Sequence, residues 1–457
     1  MSSTFAATVE WTRQLGTAAT DRSQDLTVDE VGNVYIAGDT QGSLVGTNSG
    51  GNDTFLTKFT PHGDLEWTRQ LGSTGNDQTF GVSADGMGSV YMSGLTQGAL
   101  GAPNGGGHDA FVSKWDTVTG NLLWIRQLGT ASQDGSLSVS ADRSGSVFIT
   151  GYTDGNLGGS NVGSRDVFFS KYDSTGELSW TRQFGSALTD YGLYVAGDGA
   201  GNVYLTGNTT IPQPPPFAAL PVSFLSKYDA LGGLVWTRKD TGGSIAVDGL
   251  GNVHTSTGKY NSLGEGVWIR ERNLNIGDAI TSVAADMFGN SYISGYTFGS
   301  LSGQNAGAED AFVIKYDADG NILWTVQLGT ASREQSLGVS ATTLGDVYIS
   351  GWTEGNLGGP NLGNADAFVA KVGCISGSTC SLAGDYNDDG IVNAADYTVW
   401  RDTDGSPEGL TAWQRNFGLA YGIGSSELQN AAVPEPTAWQ LLLGMVLTVF
   451  FLARRFR

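Results

Sequence analysis

Through most of the chain, apolar and polar residues alternate in short runs, and Gly, Asn and Asp break the runs. VFITGYT (Val147–Thr153), DVFFSKYD (Asp166–Asp173) and ELSWTRQFG (Glu177–Gly185) follow one another in this way. A two-residue period rich in Val, Ile, Phe and Tyr predicts β-strands joined by turns, not helices. The small-residue run SLSVSAD (Ser136–Asp142) precedes them and predicts a further, innermost strand. Four strands in one unit of this length make a propeller blade.

The unit recurs. Trp stands at 11, 67, 124, 180 and 236 at a spacing of 56 or 57, then at 268 and 324. The text around it is nearly constant: WTRQLGT, WTRQLGS, WIRQLGT and WTRQFGS open the first four units. A second signature runs GNVYIAG (Gly32–Gly38), GSVYMSG (Gly88–Gly94), GSVFITG (Gly145–Gly151) and onward to GDVYISG (Gly345–Gly351). A third, Asp-x-Phe-x-x-Lys, begins at Asp53, Asp109, Asp166, Asp310 and Asp366, while the fourth unit has Val222 in place of the Asp.

The pattern predicts an all-β fold, a seven-bladed β-propeller over residues 9–372. The short fifth unit, Trp236–Val267, reads either as a three-stranded blade or as an insertion in a six-bladed ring. The seventh unit lacks its Trp strand, and Val9–Gly16 supplies one. That segment is expected to pair with Asp366–Val372 and close the ring, removing two open edges.

The recurring Asp-x-x-Gly-Asn step reads as a turn, because Asp caps its own backbone and Gly tolerates positive φ. The Trp is expected to pack between blades rather than stack on sugars, and the Arg and Lys that recur with it to make solvated or inter-blade contacts. Alternating strand direction puts the two long loops, such as Thr153–Asp166 and Gly129–Ser136, on one face. Loops carried on a rigid scaffold are the expected binding face. The Pro-rich stretch Ile211–Pro221 makes that face asymmetric. No catalytic constellation stands out from the repeat.

The net charge of −21 argues against nucleic acid as a partner, since phosphate binding needs a basic patch. Three histidines, His62, His108 and His254, leave little material for a catalytic triad or a His-rich metal site. Cys374 and Cys380 are the two cysteines, either a disulfide closing one small loop in an oxidising compartment or two free thiols.

After a linker at 373–384 the text changes. Asp385, Asn387, Asp389, Gly390, Ile391, Asn393 and Asp396 occupy positions 1, 3, 5, 6, 7, 9 and 12 of a calcium loop. One Ca2+ is expected there, with Ile391 giving its carbonyl and a helix at Ala394–Arg401 following. Beyond a second linker, 419–432, the segment 433–457 holds an apolar stretch, Ala438–Ala453, then Arg454, Arg455 and Arg457. This predicts a short membrane span with a cytoplasmic C-terminus.

The WTRQLG, GNVYIxG and DAFxxKYD signatures resemble the SBBP family of seven-bladed β-propeller repeats, found mostly on exported and surface proteins. Residues 385–418 resemble a dockerin type I calcium repeat whose second copy, Leu410–Gly418, is eroded. The tail, with Pro434, Glu435 and Pro436 before the apolar stretch and arginines after it, resembles a PEP-CTERM sorting signal. That resemblance implies an exosortase-type processing enzyme as partner. It also implies an N-terminal export signal, whereas MSSTFAATVEW has neither a basic start nor an apolar core. The combined expectation is an exported, non-catalytic cell-surface or matrix propeller that binds or scaffolds a polysaccharide or surface protein. The alternative is an exported glycan-active enzyme or carbohydrate-binding protein using the long-loop face.

Overall fold

The computed structural model describes residues 7–211, 219–239, 241–269, 277–342, 345–374, 392, 394–403, 410, 413 and 414. The chain divides into two units, Met1–Ser376 and Gly377–Arg457.

The first unit is a ring of seven four-stranded antiparallel sheets. The first blade runs outward through Asp21–Val28, Val34–Thr40, Asp53–Phe59 and Leu65–Leu71. The second blade spans Asp77 to Leu128, the third Asp134 to Phe184, the fourth Tyr191 to Lys239 and the sixth Ala279 to Leu328. Inner strands begin two residues before the expected Ser136, at Asp134, because that carboxylate organises the preceding loop.

The fifth blade is complete. Ile245–Val247, Val253–Thr255, Gly258–Tyr260 and Gly266–Ile269 form four strands of three or four residues. Both open readings of that unit are thereby corrected: it is neither three-stranded nor an insertion. The unit is short because its second and third strands join directly, Thr255 pairing with Gly258, where other blades carry a long loop.

In the seventh blade, Glu334–Ala341, Val347–Thr353 and Asp366–Cys374 are completed by the N-terminal strand Ala7–Leu15. Its register runs from Ala7 opposite Cys374 to Leu15 opposite Ala367, with a bulge between Val9 and Trp11. The ring therefore closes as the repeat predicts.

The second and third strands of a blade are buried on both faces; every residue of Val34–Thr40 and Asp53–Phe59 is buried. The outer strand's Trp packs toward the next blade. In most blades its indole N–H reaches a carbonyl in the next blade's outer turn, as in Trp11 to Pro61 at 3.1 Å and Trp124 to Ser174 at 3.2 Å, whereas that of Trp67 is buried without a partner. The Arg two residues on does the same: Arg13 Nε donates to Gly63 O at 2.7 Å and Arg126 Nε to Gly176 O at 2.9 Å. The Trp-x-Arg signature is thus a directional fastener between neighbouring blades.

The Asp-x-x-Gly-Asn step is a structural turn. Asp29 Oδ1 accepts from Val31 N and Asn33 N, and Gly32 has φ 84°. Asp29 Oδ2 also accepts from Tyr35 Oη at 3.0 Å, a bond repeated by Tyr292 and Asp286 at 2.8 Å. In the fifth blade His254 replaces the Tyr and sits 3.0 Å from Asp248. In the third blade Phe148 replaces it, and the buried Asp142 Oδ2 has no partner. A buried acceptor left unmet is costly. Phe148→Tyr is therefore expected to raise stability by about 1 kcal/mol. The urea midpoint checks this; an unchanged or lower value would count against it.

In the second unit a helix covers Ala394–Thr403, two residues longer than expected. Val392 and Trp413 are buried there with Tyr397 and Leu410 packed on them. The Tyr397 ring lies 5.0 Å from that of Trp413.

Candidate ligand-binding face

The loops after the second and fourth strands share one face and are held by a recurring clamp. In the second blade, Gln127 Nε2 donates to Asp109 Oδ2 at 2.9 Å and to Gly98 O at 3.0 Å. Its Oε1 accepts from the loop amides of Leu100 and Gly101 at 3.0 and 3.1 Å. Asp109 Oδ2 also accepts from Gly105 N at 2.8 Å. The inner-strand carboxylate Asp134 fixes the other loop, accepting from Thr130 N at 2.6 Å and Thr130 Oγ1 at 2.8 Å.

The clamp recurs as Gln14 with Asp366, Gln70 with Asp53, Gln183 with Asp166 and Gln327 with Asp310. In all five, the second Asp oxygen is buried without a hydrogen-bond partner. It lies against the Gly that ends the Trp strand, where a Cβ at Gly16, Gly72, Gly129, Gly185 or Gly329 would collide with it. These carboxylates are committed to holding loops.

The positions that break the repeat gather around the channel mouth on this face. They are the second residue of the inner strand, the residues flanking the end of the second strand and the residue just before the inner or the third strand. Arg22 lies 5.1 Å over the Trp352 ring, and Arg333 lies 5.7 Å from the same ring. Arg333 is paired with Glu309 at 2.8 Å and lies 4.0 Å from Glu354. On the other side of the ring of blades, Arg165 lies 4.0 Å over Tyr152 and 5.2 Å from Tyr191. It pairs with Asp154 at 2.7 Å and donates to Tyr191 Oη at 2.7 Å. Phe298 is 49% exposed beside Tyr296. Asp39 accepts from Gln24 Nε2 at 2.9 Å, and burial pushes its carboxyl up against the pull of Gln24 and Arg22. Each mouth carboxylate is thus engaged by an arginine or an amide. That arrangement suits recognition of planar polar groups by stacking and hydrogen bonding.

Below the mouth, the inner strands of all seven blades enclose a channel of about 640 Å³. Each inner strand of the regular blades carries a bulge, between Thr79 and Gly81 in the second and between Ser136 and Ser138 in the third. Asp25 is the carboxylate among the channel-lining residues. It accepts from Leu26 N at 2.9 Å and Val82 N at 3.0 Å, and burial pushes its pKa up to about 7. Its bond to the second blade is one of a series: Ser138 to Val195 N, Ser244 to Val283 N and Ser282 to Val339 N link later blades in the same way.

The β-propeller repeat model SBBP matches residues 10–44, 66–101 and 123–158. The chain carries SBBP repeats. It is 21% identical over 433 residues to the uncharacterized WD repeat-containing protein L264 of Acanthamoeba polyphaga mimivirus, covering 75% of this chain and 30% of that one. It is 25% identical over 271 residues to the regulatory protein FlaEY of Caulobacter vibrioides, covering 56% of this chain and 24% of that one. The SBBP-bearing chain thus spans less than a third of either relative. Among solved structures it resembles the β-propeller domain of the Trilobed protease from Pyrococcus furiosus, at 7% identity and TM-score 0.42, covering 81% and 98% of the two chains.

The calcium-loop residues Asp385, Asn387, Asp389, Ile391 and Asn393 lie outside the described residues. Asp396 falls in the first turn of the helix Ala394–Thr403. Cys374 ends the third strand of the seventh blade, and Cys380 lies outside the described residues. Pro434, Glu435, Pro436, Arg454 and Arg455 lie outside them too. Among the described residues there is no group of three or more His, Cys, Asp or Glu placed to hold a metal. No helix among them is long and apolar enough to cross a membrane.

Sequence reasoning missed the mouth set. Its signal is departure from the repeat: Asp39, Tyr152, Tyr296 and Trp352 occupy one aligned position, each a different solution to the same place.

Proposed function

We propose that this SBBP propeller is a non-catalytic binding and scaffolding protein that presents its long-loop face to a polysaccharide or surface protein. The observation that carries the reading is the concentration of non-repeating Arg and aromatic residues at the channel mouth, above loops held rigid by the Gln–Asp clamps. A rigid face with a few variable aromatic and guanidinium groups is built to recognise. The engagement of the mouth carboxylates by Arg or amide groups supports binding over hydrolysis, which needs an acid and a base free to act. The C-terminal signatures support export, one Ca2+ in the loop Asp385–Asp396, and processing of the tail by an exosortase-type enzyme.

The test is a polysaccharide array probed with the full chain and with Arg22→Ala and Phe298→Ala. Both side chains are exposed, so the fold is expected to hold. Binding at least tenfold weaker in the variants supports the reading. Binding that ignores both changes, or release of reducing sugar from a bound glycan, refutes it.

A further inference from the structure

In most blades a loop leucine fills the groove between the blade and the outer strand of the one before. Leu44 packs on the cluster of Phe55 and Phe59 beside Trp11 and Leu15, and Leu157 packs on that of Phe168 and Tyr172 beside Trp124 and Leu128. Leu301 and Leu357 pack on equivalent clusters. The clamp Gln places each one: its Oε1 accepts from Leu44 N at 2.9 Å, Leu157 N at 2.8 Å, Leu301 N at 2.8 Å and Leu357 N at 3.0 Å.

The fourth blade has lost every part of this device. Val222 stands where the clamp Asp belongs and Lys239 where the Gln belongs, and the Gly-rich loop with its Leu gives way to the stretch Ile211–Pro221. The groove between the third and fourth blades is correspondingly a cleft of about 500 Å³. Phe169, Phe184, Phe224 and Tyr228 give it aromatic walls, with Val222 and the hydroxyl residues Ser226 and Thr237 beside them. The Phe169 and Tyr228 rings are 4.5 Å apart and those of Phe184 and Phe224 5.7 Å.

Charge at the rim is unequal. Asp190 is satisfied by Ser186 N at 2.6 Å and Thr210 N at 3.1 Å. Arg182 donates to Leu231 O at 2.8 Å. Lys239 is exposed, lies opposite Phe224 in the sheet and makes no ion pair among the described residues. A volume of this order suits a small molecule. Apolar walls exclude a hydrated ion, while a lysine at the rim rewards one negative charge.

We propose that this cleft binds a small organic acid with an apolar body, an aromatic or medium-chain carboxylate, with its anionic group at Lys239. The proposal is independent of the channel mouth.

The test is fluorescence titration of the full chain with anilinonaphthalene sulfonate, with octanoate as competitor. One saturable site that octanoate empties is expected. Val222→Phe, which fills the slot, is expected to abolish it. Lys239→Glu is expected to weaken it at least tenfold, and this exposed change decides the matter if the first variant fails to fold. Arg22→Ala is expected to leave it unchanged, which separates this site from the mouth. Failure to saturate, or affinity indifferent to Lys239→Glu, overturns the proposal. Binding that emerges only when residues 212–218 are replaced by Gly and Ser means that the chain's own loop is the occupant, and overturns it too.

Discussion

Removing residues 1–16 is expected to unfold the propeller at physiological temperature. The strand Ala7–Leu15 pairs along its length with Asp366–Cys374. It also packs Val9 against the core between the sixth and seventh blades, and Trp11 and Leu15 against the core between the seventh and first. Gln14 is the clamp of the seventh blade, bonded to Asp366 Oδ2 at 3.0 Å. Trp11 and Arg13 fasten that blade to the first. Glu10 pairs with Lys371 at 3.1 Å. Packing of these three partly buried side chains is worth about 3 kcal/mol, to which the lost strand pairing, clamp and fastener bonds add. A loss of that order is a large share of the whole stability of many domains, about 5–15 kcal/mol. Calorimetry checks the expectation; a melting temperature within a degree or two of the full chain would refute it.

A single methyl group is expected to do nearly as much damage. Gly94 lies within the second strand of the second blade, two residues before its end at Thr96, and a Cβ there would collide with the carbonyl oxygen of Gln78 and touch the Phe111 ring. The collision follows from the bulge between Thr79 and Gly81, which drives that carbonyl across the strand. Neither neighbour is a flexible side-chain end, so the two strands must part. Gly94→Ala is expected to cost about 3 kcal/mol, the upper end for overpacking. Gly46 gives the contrast. Its φ is 80°, but a Cβ there meets nothing within 4 Å. Gly46→Ala is expected to cost about 1 kcal/mol, from backbone strain alone. Urea unfolding of both variants checks the pair; equal losses would show that the bulge is not what demands Gly94.

Much of this architecture is written in repetition. The Trp period marks the outer strands, and the Asp-x-x-Gly-Asn turns mark the inner hairpins, because each is a local solution used over and over. The missing Trp strand of the last unit is legible for the same reason. Features that join distant residues are not. The role of Gln127 depends on Asp109, which faces it across the adjoining strand, and nothing in the letters couples them. The fifth unit misleads because a blade survives with strands of three residues once its long loop is gone. The mouth residues are silent for the opposite reason: they repeat nothing. The open cleft was half visible, since Val222 breaks the third signature, but its meaning depends on Lys239 and the lost leucine together.

Ring closure by the N-terminal strand also sets an order of events during synthesis. Gln14 and its partner Asp366 are 352 residues apart in the chain. At ribosomal speeds of about 5–20 residues per second, Ala7–Leu15 waits roughly 20–70 s for the strand it must join. Through that interval the earliest-made strand of the propeller has both edges unsatisfied, and the first blade stands without its neighbour. The seam that completes the circle is therefore also the place where a nascent chain is most exposed to pairing with the wrong one.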